Sequence, residues 1–231
     1  MKPIGLIGGL TYVSTIEYYR YLNELANEKL GGAEAAVIIM YSVNFGEIKV
    51  LTEAEDWNNI SVLMCDAAKK LENSGAVCLL LGANTMHKIA DEVQASIKIP
   101  IIHVAEAVAK SIQKEGLKKV GLLGTKYTMQ PGFYSDHLAS HGIETIIPGQ
   151  EDTAFINYTI YNEFGRNIFS AETKAAYLDI ISKLKQRGAE GIILGCTEIP
   201  ILLKGYESDI PFFDTIKIHS AAGVDFVLSC Y

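Results

Sequence analysis

Cys196 is the residue of this chain whose type and context best suit proton transfer. It follows the apolar run Gly191-Ile192-Ile193-Leu194-Gly195 and precedes Thr197-Glu198-Ile199-Pro200. A cysteine where a strand ends and a turn or helix opens meets backbone N–H groups that stabilise a thiolate and lower its pKa. Cys65 in a helical pattern, Cys78 in mid-strand and Cys230 at the terminus lack that setting and read as inert thiols. Asn84-Thr85 and Thr197-Glu198 supply side-chain donors that, with neighbouring backbone N–H groups, suit a carboxylate or an enediolate-like oxygen pair. Helix N-capping explains Thr85 and Thr197 equally well.

Other chemistries find little support. Gly8-Gly9-Leu10-Thr11 and Gly124-Thr125-Lys126-Tyr127 are glycine loops that permit close backbone approach, yet no GxGxxG or Walker pattern occurs. His87, His103, His137, His141 and His219 form no HxH or HExxH, so no metal is expected, and a polar helix end accounts for the His137/His141 spacing. His87 and His103 lie near the loops and are candidate proton shuttles, although a satisfied structural role explains each of them. No GxSxG elbow is present.

The elements that must hold these residues emerge from comparing the chain with itself. Residues 3–8 (PIGLIG) align with 119–124 (KVGLLG), 71–82 with 184–195, and Ile99-Pro100-Ile101-Ile102 with Ile210-Pro211-Phe212-Phe213. Matches in the same order predict two similar α/β domains with parallel sheets, related by a pseudo-twofold axis. The first is expected over 1–100 plus 214–231, the second over 101–213. Loops after the C-terminal ends of parallel strands form ligand crevices, so the active site is expected in the cleft between the halves. Cys196 of one half then stands opposite Ala83 of the other.

Short β-branched runs predict strands over 3–7, 36–41, 76–81, 101–103, 119–123, 144–147, 191–194 and 212–213. Helical periodicity predicts helices from 14 to Gly31-Gly32 and over 53–73, 86–96, 105–114, 130–139, 153–164, 171–186 and 214–228. The 231 residues are 49% hydrophobic, with 20 basic against 27 acidic side chains and a net charge of −7. That balance, with no basic run longer than two, excludes an electrostatic footprint for nucleic acid or anionic lipid and points to a small-molecule partner. Apolar runs such as 76–81 fall far short of the ~20 residues that span a bilayer. Gly8-Gly9 closes the first apolar run too early for a signal peptide, so the expected location is cytoplasmic. Four cysteines without CxxC spacing fit a reducing compartment.

The chain resembles the cofactor-independent aspartate/glutamate racemase family over essentially its whole length. The resemblance is carried by residues 8–15 (GGLTYVST), 82–87 (GANTMH), 124–129 (GTKYTM), 195–200 (GCTEIP) and 213–215 (FDT). It implies two α/β domains of one pattern, a homodimer, no pyridoxal phosphate, and a small amino-acid or dicarboxylate substrate flanked by two acid/base residues. By position it makes Cys196 one acid/base and puts Leu10, Thr52, Asn84, Thr85, Thr197 and Glu198 near the substrate. At position 83, where the family has a cysteine or in some members a threonine, this chain has Ala83, which neither takes nor gives a proton. Val13 and Asn44 stand where relatives commonly have glutamate and aspartate. Four readings of Ala83 stay open. It is an engineered substitution in a racemase, or part of an impaired, one-sided racemase that uses water or a neighbour. Otherwise the chain is a single-cysteine lyase like the arylmalonate decarboxylases, or a non-catalytic small-acid binding protein.

Overall fold

Runs of Ile, Leu, Val and Gly without charge give a strand nothing polar to present on either face, which suits parallel sheets covered by helices. The computed structural model describes residues 1–229, so the expectation for Cys230 lies outside the described residues. The chain divides into two units, Met1–His103 with the chain from His219 onward, and Val104–Ile218. Among the described residues no helix is long and apolar enough to cross a membrane.

In the first unit β1 (Ile4–Gly8), β2 (Ile38–Ser42) and β3 (Cys78–Leu81) form a parallel sheet in the order β2-β1-β3. Every residue of β1 and β3 is buried. The strand expected over 101–103 is reduced to one parallel bridge, Leu79 to Ile101. Pro100 and Ile102 supply the carbonyl and the N–H that flank Leu79, and the next helix begins at Val104, leaving no length for a further rung. Helix α1 (Tyr12–Leu30) starts at Thr11, whose hydroxyl accepts from the Ser14 N–H. The helix expected over 53–73 is two helices, α2 (Phe45–Glu53) and α3 (Trp57–Asn73). Glu55 adopts φ 55° between them, and Asp56 takes the Asn59 N–H as the cap of α3. A 3-10 turn over Asn84–Ile89 precedes α4 (Ala90–Ala95), where one helix is expected. Ile7, Ile60, Met64, Leu71, Leu79 and Val93 lie at the centre of this unit's core.

The second unit repeats the wiring. It contains α5 (Val104–Lys114), β4 (Lys119–Gly124), α6 (Lys126–Met129), α7 (Phe133–Ser140), β5 (Glu144–Ile146) and α8 (Gln150–Asn162). These are followed by α9 (Ala171–Gln186), β6 (Gly191–Gly195), α10 (Ile199–Leu202), β7 (Phe212–Asp214) and the start of α11 (Thr215–Leu228). Its parallel sheet runs β5-β4-β6-β7, so β4, β5 and β6 correspond to β1, β2 and β3, and β7 to the bridge at Ile101. The helix expected over 130–139 begins only at Phe133. Pro131 holds Gln130 in an extended conformation, ψ 149°, and so separates α6 from α7.

Two glycines fix how closely the strands meet. A Cβ on Gly82 would lie 2.6 Å from the Ile7 carbonyl oxygen, and one on Gly195 would lie 2.7 Å from that of Leu123. These obstacles are backbone, so a side chain there must part the strands. Gly82→Ala is expected to destabilise the protein by about 1–3 kcal/mol, read as a lower urea midpoint; an unchanged midpoint contradicts the close approach.

His219 ties the later part of α11 into the first unit. It is fully buried, with Nδ1 2.9 Å from the Tyr18 hydroxyl and Nε2 2.5 Å from the Ile102 carbonyl. A carbonyl only accepts, so Nε2 carries the proton and Nδ1 accepts from Tyr18. Burial lowers its pKa from 6.5 to about 4. The unfolded chain therefore binds this proton first as pH falls. The contribution is complete above pH 6.5, declines between 6.5 and about 4, and is gone below, a loss of about 3 kcal/mol at 1.36 per pH unit. Urea unfolding at pH 7, 6, 5 and 4 is expected to show this decline, and His219→Phe to flatten it; parallel profiles contradict the assignment.

Candidate active site

Cys196, Thr197 and Glu198 leave the C-terminal end of β6 as a buried group. The Cys196 thiol donates to Glu198 Oε2 at 3.0 Å, and the Thr197 hydroxyl donates to the same oxygen at 2.8 Å. Burial pushes the Cys196 thiol well above its ordinary range, and the Glu198 charge adds to the rise. Backbone N–H groups of Glu198 and Thr197 pull the other way and are outweighed. The expected lowering of this thiol by a helix N-terminus is therefore corrected. Helix α10 has only four residues and no side-chain cap, whereas a full carboxylate sits at hydrogen-bond distance. Cys196 rests as a protonated thiol pointed at a proton acceptor.

Thr197 is not a helix cap: the cap position of α10 is Glu198, which makes no side-chain cap bond, and the Thr197 hydroxyl donates to Glu198. Glu198 is likewise an acceptor for both neighbours rather than a donor toward a carboxylate. Thr215 secures the strand behind this group, its hydroxyl donating to the Leu194 carbonyl at 2.9 Å. Sequence reasoning did not single out Tyr177, a fully buried residue of α9 that bonds the Thr159 hydroxyl at 2.9 Å. Burial raises its pKa well above the ordinary range; the Thr159 hydrogen bond works against this, and the Glu163 and Glu198 charges act with burial. It has no motif around it; its helical periodicity marks it only as core.

In the first unit, Ala83 follows β3 and heads the 3-10 turn that holds Asn84, Thr85 and His87, all three of them buried. Ala83 carries only a methyl group, with no proton to give or take and no side-chain cap bond. His87 Nδ1 is 3.1 Å from the Ala83 carbonyl, which places the ring proton on Nδ1. Burial holds the His87 pKa well below 6.5, reinforced by His103 and His219, so the ring is neutral. Leu10 is buried in the loop after β1. Thr52 is buried in α2 and donates to the Ile48 carbonyl at 2.7 Å. Asn44 accepts the Gly46 N–H as the cap of α2, and Val13 is buried in α1.

The family profile described as Asp/Glu/Hydantoin racemase matches residues 7–223. A crystal structure of a Yersinia pestis protein provisionally assigned as an Asp/Glu racemase is 44% identical, covers 99% of this chain and 100% of that one, and superposes with a TM-score of 0.90. An aspartate racemase homologue from Pyrococcus horikoshii is 35% identical over 99% and 100% of the two chains, TM-score 0.83. The broad specificity amino-acid racemase RacX of Bacillus subtilis is 29% identical over 69% of each chain.

The effect of the Glu198 charge is read from the pH dependence of Cys196 alkylation by iodoacetamide, followed on its own peptide by mass spectrometry. The native thiol is expected to become reactive only at a pH above the ordinary ~8.5 of a free cysteine. Glu198→Gln removes the negative charge and shifts the profile to lower pH. An unmoved or upward-shifted profile rejects the Glu198 contribution.

Proposed function

We propose that this chain, which belongs to the Asp/Glu/hydantoin racemase family, is an amino-acid racemase acting on aspartate or glutamate without pyridoxal phosphate. Cys196 serves as the acid/base on one face of the substrate Cα, and position 83 contributes no proton carrier for the other. The observation that carries this reading is the buried Cys196 thiol hydrogen-bonded to Glu198. The relatives named as racemases give the reaction class. Leu10, Thr52, Asn84, Thr85, Thr197 and Glu198 are assigned to substrate binding from the resemblance, as is a homodimeric working form.

An amino-acid Cα–H is a very weak acid, so its removal needs a positioned base and stabilisation of the negative charge that moves onto the carboxylate. The Cys196 proton passes along its hydrogen bond to Glu198, leaving a thiolate and a neutral carboxylic acid. The substrate ammonium favours this transfer by offsetting the thiolate charge. The thiolate takes the Cα proton, the electron pair moves into the carboxylate as an enediolate, and the thiol is restored. Returning a proton on the same face regenerates the starting enantiomer. Inversion needs a proton from the opposite face, and with Ala83 there that proton comes from water or a neighbouring group. Exchange therefore outpaces racemisation.

The second reading, a single-cysteine lyase resembling the arylmalonate decarboxylases, is favoured by the same methyl at position 83. Loss of CO₂ creates the enediolate, and one thiol suffices to protonate it.

Proton NMR of L- and D-aspartate and of L- and D-glutamate in D₂O separates these outcomes. Loss of the Cα–H signal from one enantiomer ahead of racemisation is expected, and Cys196→Ala should slow it by at least about 10²-fold. Ala83→Cys is expected to raise racemisation. If neither substitution changes any rate, the assignment of the site is wrong. CO₂ release from an aryl-substituted malonate, with no exchange from the amino acids, establishes the lyase instead.

A further inference from the structure

A cluster on helices α5 and α7 is not used by the chemistry above. Glu106 lies in the first turn of α5, His137 in α7, and His141 is the residue that ends α7. The i, i+4 spacing puts both imidazoles on one face of the helix, with ring centroids 5.5 Å apart and planes tilted by 32°. Both Nε2 atoms are 2.8 Å from the same oxygen, Glu106 Oε2. The three ligand atoms all lie within 4.8 Å of one another. The expectation that a polar helix end accounts for the histidine pair is thus incomplete, since both rings converge on a carboxylate from another helix.

We propose that Glu106, His137 and His141 form a binding site for a divalent transition-metal ion, Zn²⁺ being the representative, that clips α5 to α7. Tetrahedral Zn²⁺ with arms of about 2.0–2.2 Å sets its ligand atoms roughly 3.3 Å apart, so each nitrogen draws back from Oε2 by about half an ångström and the two nitrogens, within 4.8 Å of each other, close to the same spacing. The ion replaces the two ring protons that now point at one oxygen. Two imidazoles and a carboxylate select Zn²⁺, Ni²⁺ or Cu²⁺ over Mg²⁺ or Ca²⁺, which prefer all-oxygen shells.

Access and charge agree with this. The side chains of His137, His141 and Glu106 are 30%, 22% and 33% exposed, so an ion reaches them from solvent and keeps water in its remaining position. Partial burial works against ionisation of Glu106, but hydrogen bonds from Lys110, His137 and His141 outweigh it and hold the carboxyl at about 2. Lys110 Nζ sits 3.0 Å from the other oxygen, Oε1, and its side chain is largely exposed, so it can swing into solvent as the ion arrives. Gln113 of α5 donates to the His141 carbonyl at 3.1 Å, a second tie that keeps the two helices in register for the ligands.

The test is titration of metal-free protein with Zn²⁺ against a chromophoric chelator, with melting temperature read in parallel. One equivalent bound at low-micromolar or tighter affinity is expected, together with a rise in Tm. Glu106→Gln and His137→Ala should each weaken that equivalent at least tenfold and remove the Tm rise. Glu106→Gln keeps the shape of the side chain, so it carries the test if His137→Ala fails to fold. Zn²⁺ bound equally by native protein and Glu106→Gln places the ion elsewhere, on a thiol for example, and overturns the proposal. So does the absence of binding at Zn²⁺ concentrations well above the micromolar range.

Discussion

In each unit the central strand and the strand that carries a candidate site loop meet at their C-terminal ends without room for a single side-chain carbon. Gly82 lies against the Ile7 carbonyl, and Gly195 lies in the same relation to Leu123. The loops beginning at Ala83 and Cys196 leave their sheets immediately after these glycines. Their starting points are therefore set by backbone contact rather than by side-chain packing, which relaxes more readily. The glycine after β1 serves the same end: Gly9 adopts φ +76°, and a Cβ there would collide with the Val43 backbone.

The chemistry of the second unit then turns on one carboxylate. A helix N-terminus contributes about 0.3–1 kcal/mol toward a thiolate. A unit charge ~4 Å away opposes it with about 4 kcal/mol at an effective dielectric of ~20. Burial, the larger cause, opposes it as well, and the thiol stays protonated. Because the opposing charge also accepts the thiol's hydrogen bond, the group that suppresses the thiolate is the one able to take the proton.

The first unit buries imidazoles instead. His87 packs edge-on against His103 and His219, with ring centroids 4.7 and 5.4 Å away. Several cations in such a space would repel one another, and burial keeps His87 and His219 neutral. Carbonyl partners fix the tautomers of both rings, so these residues hold the turn after β3, α1 and α11 in place through directed hydrogen bonds.

The sequence by itself determined the wiring. Apolar runs bounded by glycine mark β1, β3, β4 and β6, and their recurrence in the two halves sets two parallel sheets of like strand order. The breaks at Asp56 and at Pro131-Gly132 are local too, written in a capping side chain and in a proline that forbids helix before it. The direction of the Cys196 shift was not legible, because it depends on how completely the packed unit excludes water and on where the Glu198 side chain turns. Nor was the meeting of Glu106 with His137 and His141, which are separated by more than thirty residues and brought together by the packing of α5 on α7. Periodicity and capping act over a few neighbouring residues and can be read from their order. Burial and the distance between charges are properties of segments remote in the chain, and only the tertiary structure decides them.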